Sequence, residues 1–202
     1  MSCVSAVRIA RPLARADVRQ DRIDDGLSAS SSRRCTTEPA FSRVASEIVY
    51  RAKADPPRGA VRLTSVVGGR NPAHSTSVGK ALLSQRPHSV SELTDYFGPD
   101  PLEARTPNTL TSIPDLAADL DAIARRGYAI DDEENELGIT CVAVPVYTDS
   151  SPTPVGAISI SAVTFRCPKE QLVGLVPTLR ATIQRHLGPG SLGPGVAGPE
   201  TN

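Results

Sequence analysis

Leu137-Gly138-Ile139-Thr140-Cys141-Val142-Ala143-Val144-Pro145-Val146-Tyr147 and Val155-Gly156-Ala157-Ile158-Ser159-Ile160-Ser161-Ala162-Val163 decide the fold. Each is an apolar, β-branched run of strand length. Asp149, Ser150, Ser151 and Pro152 lie between them, which makes the pair an antiparallel hairpin. Just upstream, Gly127-Tyr128-Ala129-Ile130 reads as a glycine stop and a short strand. The acidic run Asp131-Asp132-Glu133-Glu134 then leads into the hairpin.

Before the hairpin come helices with clear boundaries. Ser112-Ile113-Pro114-Asp115 opens one, with proline in the first turn, where its missing N–H costs nothing. Leu116, Leu120 and Ile123 form its apolar face, Arg125 and Arg126 suit its negative end, and Gly127 stops it. Ser89-Val90-Ser91-Glu92 is a capping box, and Ser75-Thr76-Ser77 offers hydroxyl caps to a helix through Lys80-Ala81-Leu82-Leu83. Glu47–Ala52 and Val61–Val66 read as strands. A last helix is expected from Pro168, burying Leu172, Val176, Leu179, Ile183 and Leu187, with a kink at Pro177. Strands, helices, a hairpin and a final helix, in that order, predict an α/β chain of the α+β kind: a mostly antiparallel sheet flanked by helices.

The ends differ from this middle. Residues 1–40 scatter Arg8, Arg11, Arg15 and other arginines among Asp and Ser, and are expected to be a disordered or atypical segment. Residues 189–202 are dense in Gly and Pro and read as a flexible tail. The domain is therefore expected at residues 41–188. Lys+Arg and Asp+Glu are both 22, so no basic excess favours nucleic acid, and aromatics at 3% rule against a base-stacking platform. The four cysteines show no metal-ligand spacing and no apolar leader precedes them, so a reduced, cytoplasmic chain is expected. No apolar run is long enough to cross a membrane.

Catalytic, metal and cofactor patterns fail. Gly79-Lys80 lacks the glycine and hydroxyl that a phosphate loop needs, with His74 and Ala81 in their places. Ser77 with His74 gives half of a nucleophile arrangement but no orienting acid, leaving a small carboxylester hydrolase or stand-alone metabolite-binding module as the alternative function. Contiguous acids at 131–134 are expected to be a solvated turn rather than a metal site, with room for one inward acid. What survives is a binding constellation. Ser159 and Ser161, two apart on a strand, share one face, either as a pocket floor or on a solvent-facing strand. The helix start near Ser77 and Val78 presents free N–H groups. Cys141 is either an apolar wall of the same pocket or a plain core residue.

The segment Gly69-Arg70-Asn71-Pro72-Ala73-His74-Ser75-Thr76-Ser77-Val78-Gly79-Lys80-Ala81-Leu82-Leu83 resembles one signature of IclR-type transcriptional regulators. Arg126–Glu134 with Gly138–Val146, and then Ala157–Ser161, are similar to two more, in the family's order. The resemblance covers about residues 41–188 and implies a GAF-like effector-binding domain, homo-oligomers and a small carboxylate effector. It places the effector-binding positions on Ser77, Val78, Asp131, Cys141, Ser159 and Ser161, with Ser77 and Val78 where glyoxylate- and pyruvate-binding members have glycine and alanine. It implies no catalytic residue, metal or cofactor. Such regulators reach DNA through an N-terminal winged helix-turn-helix. Residues 1–40 carry no such pattern and are too short for a domain of about 60 residues. The expectation is a chain that lacks that domain, through truncation, a mis-called start or a frameshift.

Overall fold

Alternation along the hairpin sets the layers. The computed structural model describes residues 6–12, 46–54, 65–86, 88–99, 101–149 and 151–193. Strands β1 (Ala6–Pro12), β2 (Glu47–Ala54), β3 (Arg70–Pro72), β4 (Ala129–Asp132), β5 (Ile139–Val146) and β6 (Gly156–Val163) form one sheet in the order β3-β2-β1-β6-β5-β4. Every neighbouring pair is antiparallel. Helices α1 (Ser77–Leu83), α2 (Val90–Phe97) and α3 (Ile113–Arg126) precede β4; α4 (Lys169–Val173) and α5 (Val176–Leu187) follow β6.

One face of β5 and β6 presents Val142, Val144, Val146 and Ile160, which pack with Leu172, Val176, Leu179 and Ile183 of α4 and α5. The opposite face presents Ala143 and Ala157, which pack beneath Val78, Ala81 and Leu82 of α1 and Leu116, Leu120 and Ile123 of α3. Small residues on this second face let α1 sit close to the sheet. Gly79 permits a close approach to the turn that leads into its own helix: a Cβ there would lie 2.2 Å from the Ala73 carbonyl oxygen, inside any tolerable contact.

The caps form as the sequence predicts. Thr76 caps α1 by accepting from the Gly79 N–H, and Ser89 and Glu92 close a reciprocal capping box. Ser112 caps α3, which ends at Gly127 in the left-handed conformation (φ 72°) that glycine adopts without a Cβ penalty.

Several expectations are corrected. The segment expected to be a tail contributes β1, a central strand, because its backbone groups find partners on β2 and β6 at once. Residues 61–64 of the expected strand lie outside the described residues, and Ser65 and Val66 are not in a strand. The last helix is two: Pro177 sits in the first turn of α5, where it needs no N–H partner, so it starts a helix rather than kinking one. Leu187 is exposed, not core. Pro189–Leu192, expected to belong to the flexible tail, form a 3-10 turn that buries Leu192 and returns the Ser191 carbonyl to the Tyr147 N–H at 2.9 Å; residues 194–202 lie outside the described residues. Cys167 is buried and disulfide-bonded, against the expectation of reduced cysteines; its partner lies outside the described residues. Among the described residues, no helix is long and apolar enough to cross a membrane.

Candidate functional site

Register brings the predicted polar residues together. Asp131 on β4 stands opposite Cys141 on β5, which stands opposite Ser161 on β6. One same-face step along, Ser159 stands between Ala143 of β5 and Arg8 of β1. The start of α1 lies over this row. Ser77, Val78, Asp131, Cys141 and Ser159 line one enclosed cavity, together with Arg8, Tyr50, Asn71 and Asn135. Its free volume is about 10 Å³, close to that of a single water position. Ser161 does not line it. Its hydroxyl donates to the Cys141 Sγ at 3.0 Å, so it supports the thiol from behind.

Burial governs the chemistry of these groups. It pushes the Cys141 thiol up to about 12, with the nearby Asp131 carboxyl adding to the effect, so the sulfur stays protonated and non-nucleophilic at neutral pH. Burial also pushes the Asp131 carboxyl up to about 7, helped by Glu134 and opposed by N–H groups and Lys80. Asp131 Oδ1 accepts from the backbone N–H groups of Glu134 (2.8 Å) and Asn135 (3.2 Å), which pins the turn after β4.

That turn is not merely solvated. Asp132 pairs with Lys169 at 2.7 Å, and Glu133 accepts from the Gly138 N–H at 2.6 Å. Glu134 is buried and pairs at 2.6 Å with Lys80, which is 1% exposed and also reaches Asp119 at 2.8 Å. Burial raises the Glu134 pKa despite the attraction of Lys80. Each acid of the run therefore has a hydrogen-bonded role, and two rather than one point inward. Contiguity in sequence hid this, because the turn splays its side chains in different directions, with Glu133 itself at φ 61°.

The Ser77–His74 hydrolase arrangement gains no support. His74 Nε2 is hydrogen-bonded to the Glu103 carbonyl at 2.9 Å, its ring meets Phe97 edge-on, and it lines a separate cleft rather than the Ser77 cavity. Burial lowers its pKa. Among the described residues there is no cluster of metal-ligating side chains.

Arg8, Tyr50 and Asn71 also line the cavity, and sequence reasoning missed them. Asn71 donates to the Tyr50 hydroxyl at 3.3 Å, and the Arg8 guanidinium sits 5.6 Å from the Tyr50 ring centroid. The apolar run Ile48-Val49-Tyr50 offered a signal that Tyr50 is buried, though not that it meets a cavity. Arg8 had none, since an arginine among many in a polar segment looks solvent-facing. Lys80 had one: a lone charge between Gly79 and Ala81 in the apolar run Val78–Leu83.

Comparison with known proteins bears on this geometry. Residues 41–185 match the family described as Bacterial transcriptional regulator IclR C-terminal. The chain is 34% identical over 144 residues to the HTH-type transcriptional regulator KdgR of Dickeya chrysanthemi, covering 70% of this chain and 46% of that protein. It is 35% identical over 122 residues to the HTH-type transcriptional repressor AllR of Escherichia coli K12, covering 60% and 44%. It thus spans about half the length of the curated relatives it matches. Among solved structures, the IclR of Thermotoga maritima superposes with a TM-score of 0.64 at 28% identity, covering 92% of this chain and 62% of that one.

Proposed function

This chain belongs to the IclR family of bacterial transcriptional regulators, whose C-terminal effector-binding domain it carries, and on that premise we propose that the cavity beneath α1 receives a small carboxylate metabolite. One observation carries the reading. Residues from α1, β4, β5 and β6 that are far apart in sequence converge on a single enclosed cavity, offering hydroxyls and the uncapped N–H groups of Ser77 and Val78. Convergent donors without an activated nucleophile favour holding an anion over transforming it. Ser77, Val78, Asp131, Cys141 and Ser159 line the site, and Ser161 holds the thiol in place.

In this reading the ligand binds an arrangement whose cavity is wider than the single-water space described above, and its occupancy shifts the balance toward that arrangement. Contacts between copies in a homo-oligomer pass that shift to a helix-turn-helix of the kind for which the relatives are named, in the cytoplasm where operator DNA lies.

Thermal unfolding with acetate, pyruvate and lactate tests the binding step. Ligand at about 100 times its Kd adds about 2.7 kcal/mol, which raises Tm by several degrees for a domain of this size. A Ser159→Ala/Ser161→Ala double variant should lose most of that rise. No rise with any of the three acids would sink the proposal, and turnover of p-nitrophenyl acetate that disappears in Ser77→Ala would replace it with a hydrolase.

A further inference from the structure

Arg8 is the least compensated group in the cavity. It is 6% exposed, and its Nε has no hydrogen-bond partner. Among the described residues its Nη1 reaches only the Cys141 Sγ, at 3.8 Å, and its guanidinium lies over the Tyr50 ring. Among the described residues, no carboxylate lies within ion-pair distance of it. Elsewhere in the same cavity lining, the Ser65 hydroxyl is also buried and without a partner. Two groups left unsatisfied in one enclosed space are costly, the charged one most of all. The thiol does not supply the missing charge, because burial keeps it protonated.

The position of Arg8 in the sheet gives this imbalance a direction. Pairing fixes Arg8 opposite Ser159, on the same face as Cys141 and Ser161. Its planar fork of donors matches a carboxylate, and no other cation lines the cavity. Glu136 also lines the cavity, so a second negative charge on the ligand would meet a carboxylate.

We propose that Arg8 is the carboxylate anchor of this cavity, with the Ser65 hydroxyl in the same lining, and that the site selects small monocarboxylates. The assignment rests on the effector-pocket reading above. It adds a specificity residue from β1, outside the residues 41–185 that the family match covers.

Titration calorimetry on the full chain tests it, using acetate, pyruvate and lactate, each against its amide, and malonate as the dicarboxylate. The wild type should bind at least one acid about 10- to 100-fold more tightly than its amide, the range expected for a hydrogen-bonded charge. Arg8→Met should abolish that preference, so that acid and amide bind alike. Arg8→Lys keeps the charge and the stem but not the fork; it should weaken acid binding about 10-fold and decides the matter if Arg8→Met does not fold. Acid binding undiminished in either folded variant overturns the Arg8 assignment and leaves the effector reading standing. Wild-type binding of neither acids nor amides overturns the effector reading itself. Malonate binding as tightly as the best monocarboxylate overturns the selectivity.

Discussion

Val142, Val144 and Ile160 alternate with Cys141, Ser159 and Ser161 along the same two strands, yet the two faces they build are unlike. The face toward α4 and α5 is closed by aliphatic packing. The face toward α1 carries buried hydroxyls, a thiol, a carboxyl and a guanidinium, some of them without partners. Both faces are buried, so burial alone does not mark a site. The difference lies in whether the buried groups satisfy one another. On the α4–α5 face they do, and nothing is left to bind. On the α1 face the imbalance at Arg8 and Ser65 remains.

The largest effect that would sharpen this contrast is expected at Lys80. Lys80→Met leaves Glu134 buried without its cation and should destabilise by about 3–5 kcal/mol, read from urea unfolding. A loss under about 1 kcal/mol would mean the α1 face tolerates uncompensated charge, and would weaken the case built on Arg8. On the other face, Leu172→Ala should cost about 2–5 kcal/mol through lost packing while leaving the ligand-induced change in Tm intact. If it abolished that change, the two faces would not be independent.

The pH dependence of stability separates the faces next. Asp131 is raised in the folded state to about 7, chiefly by burial. From about pH 4 to 7 the folded chain thus holds a proton that the unfolded chain has released, so this group's contribution falls as pH rises through that window and is level above it. Glu134 has the same sign and His74, lowered by burial, the opposite one, so the comparison is made against Asp131→Asn. That variant should flatten the fall by an amount on the order of 2 kcal/mol. An unchanged slope would show that Asp131 is not buried as described. The smallest effect is at Ser161→Ala, which removes the bond to Cys141 and should cost about 1 kcal/mol in unfolding free energy. It should weaken ligand binding less than Ser159→Ala does, since Ser159 lines the cavity and Ser161 does not. The reverse order would place Ser161 in the site directly.

Much of the middle of the chain was legible. Leu116, Leu120 and Ile123 gave the buried face of α3, and Ser112 and Gly127 its ends, because caps and periodicity are written within a few residues. The shared face of Ser159 and Ser161 followed from the strand period; both are buried rather than solvent-facing, and Ser159 alone of the two lines the cavity. Pro177 was misjudged for a local reason: the break at Gly174–Leu175 turned a helix interior into a helix start.

The sequence by itself determined the helices, their caps, the hairpin, the antiparallel character of the sheet and, through its motifs, the family. Those features depend on contacts a few residues apart or on recurring patterns of residue type. Only the tertiary structure decided that a segment beginning at Ala6 enters the middle of the sheet, that Lys80 and Glu134 meet, and that Arg8 faces Ser159. Lys80 and Glu134 are 54 positions apart, and Arg8 and Ser159 are 151. No local propensity encodes such a pairing; it is fixed when backbone groups and buried charges find their partners together.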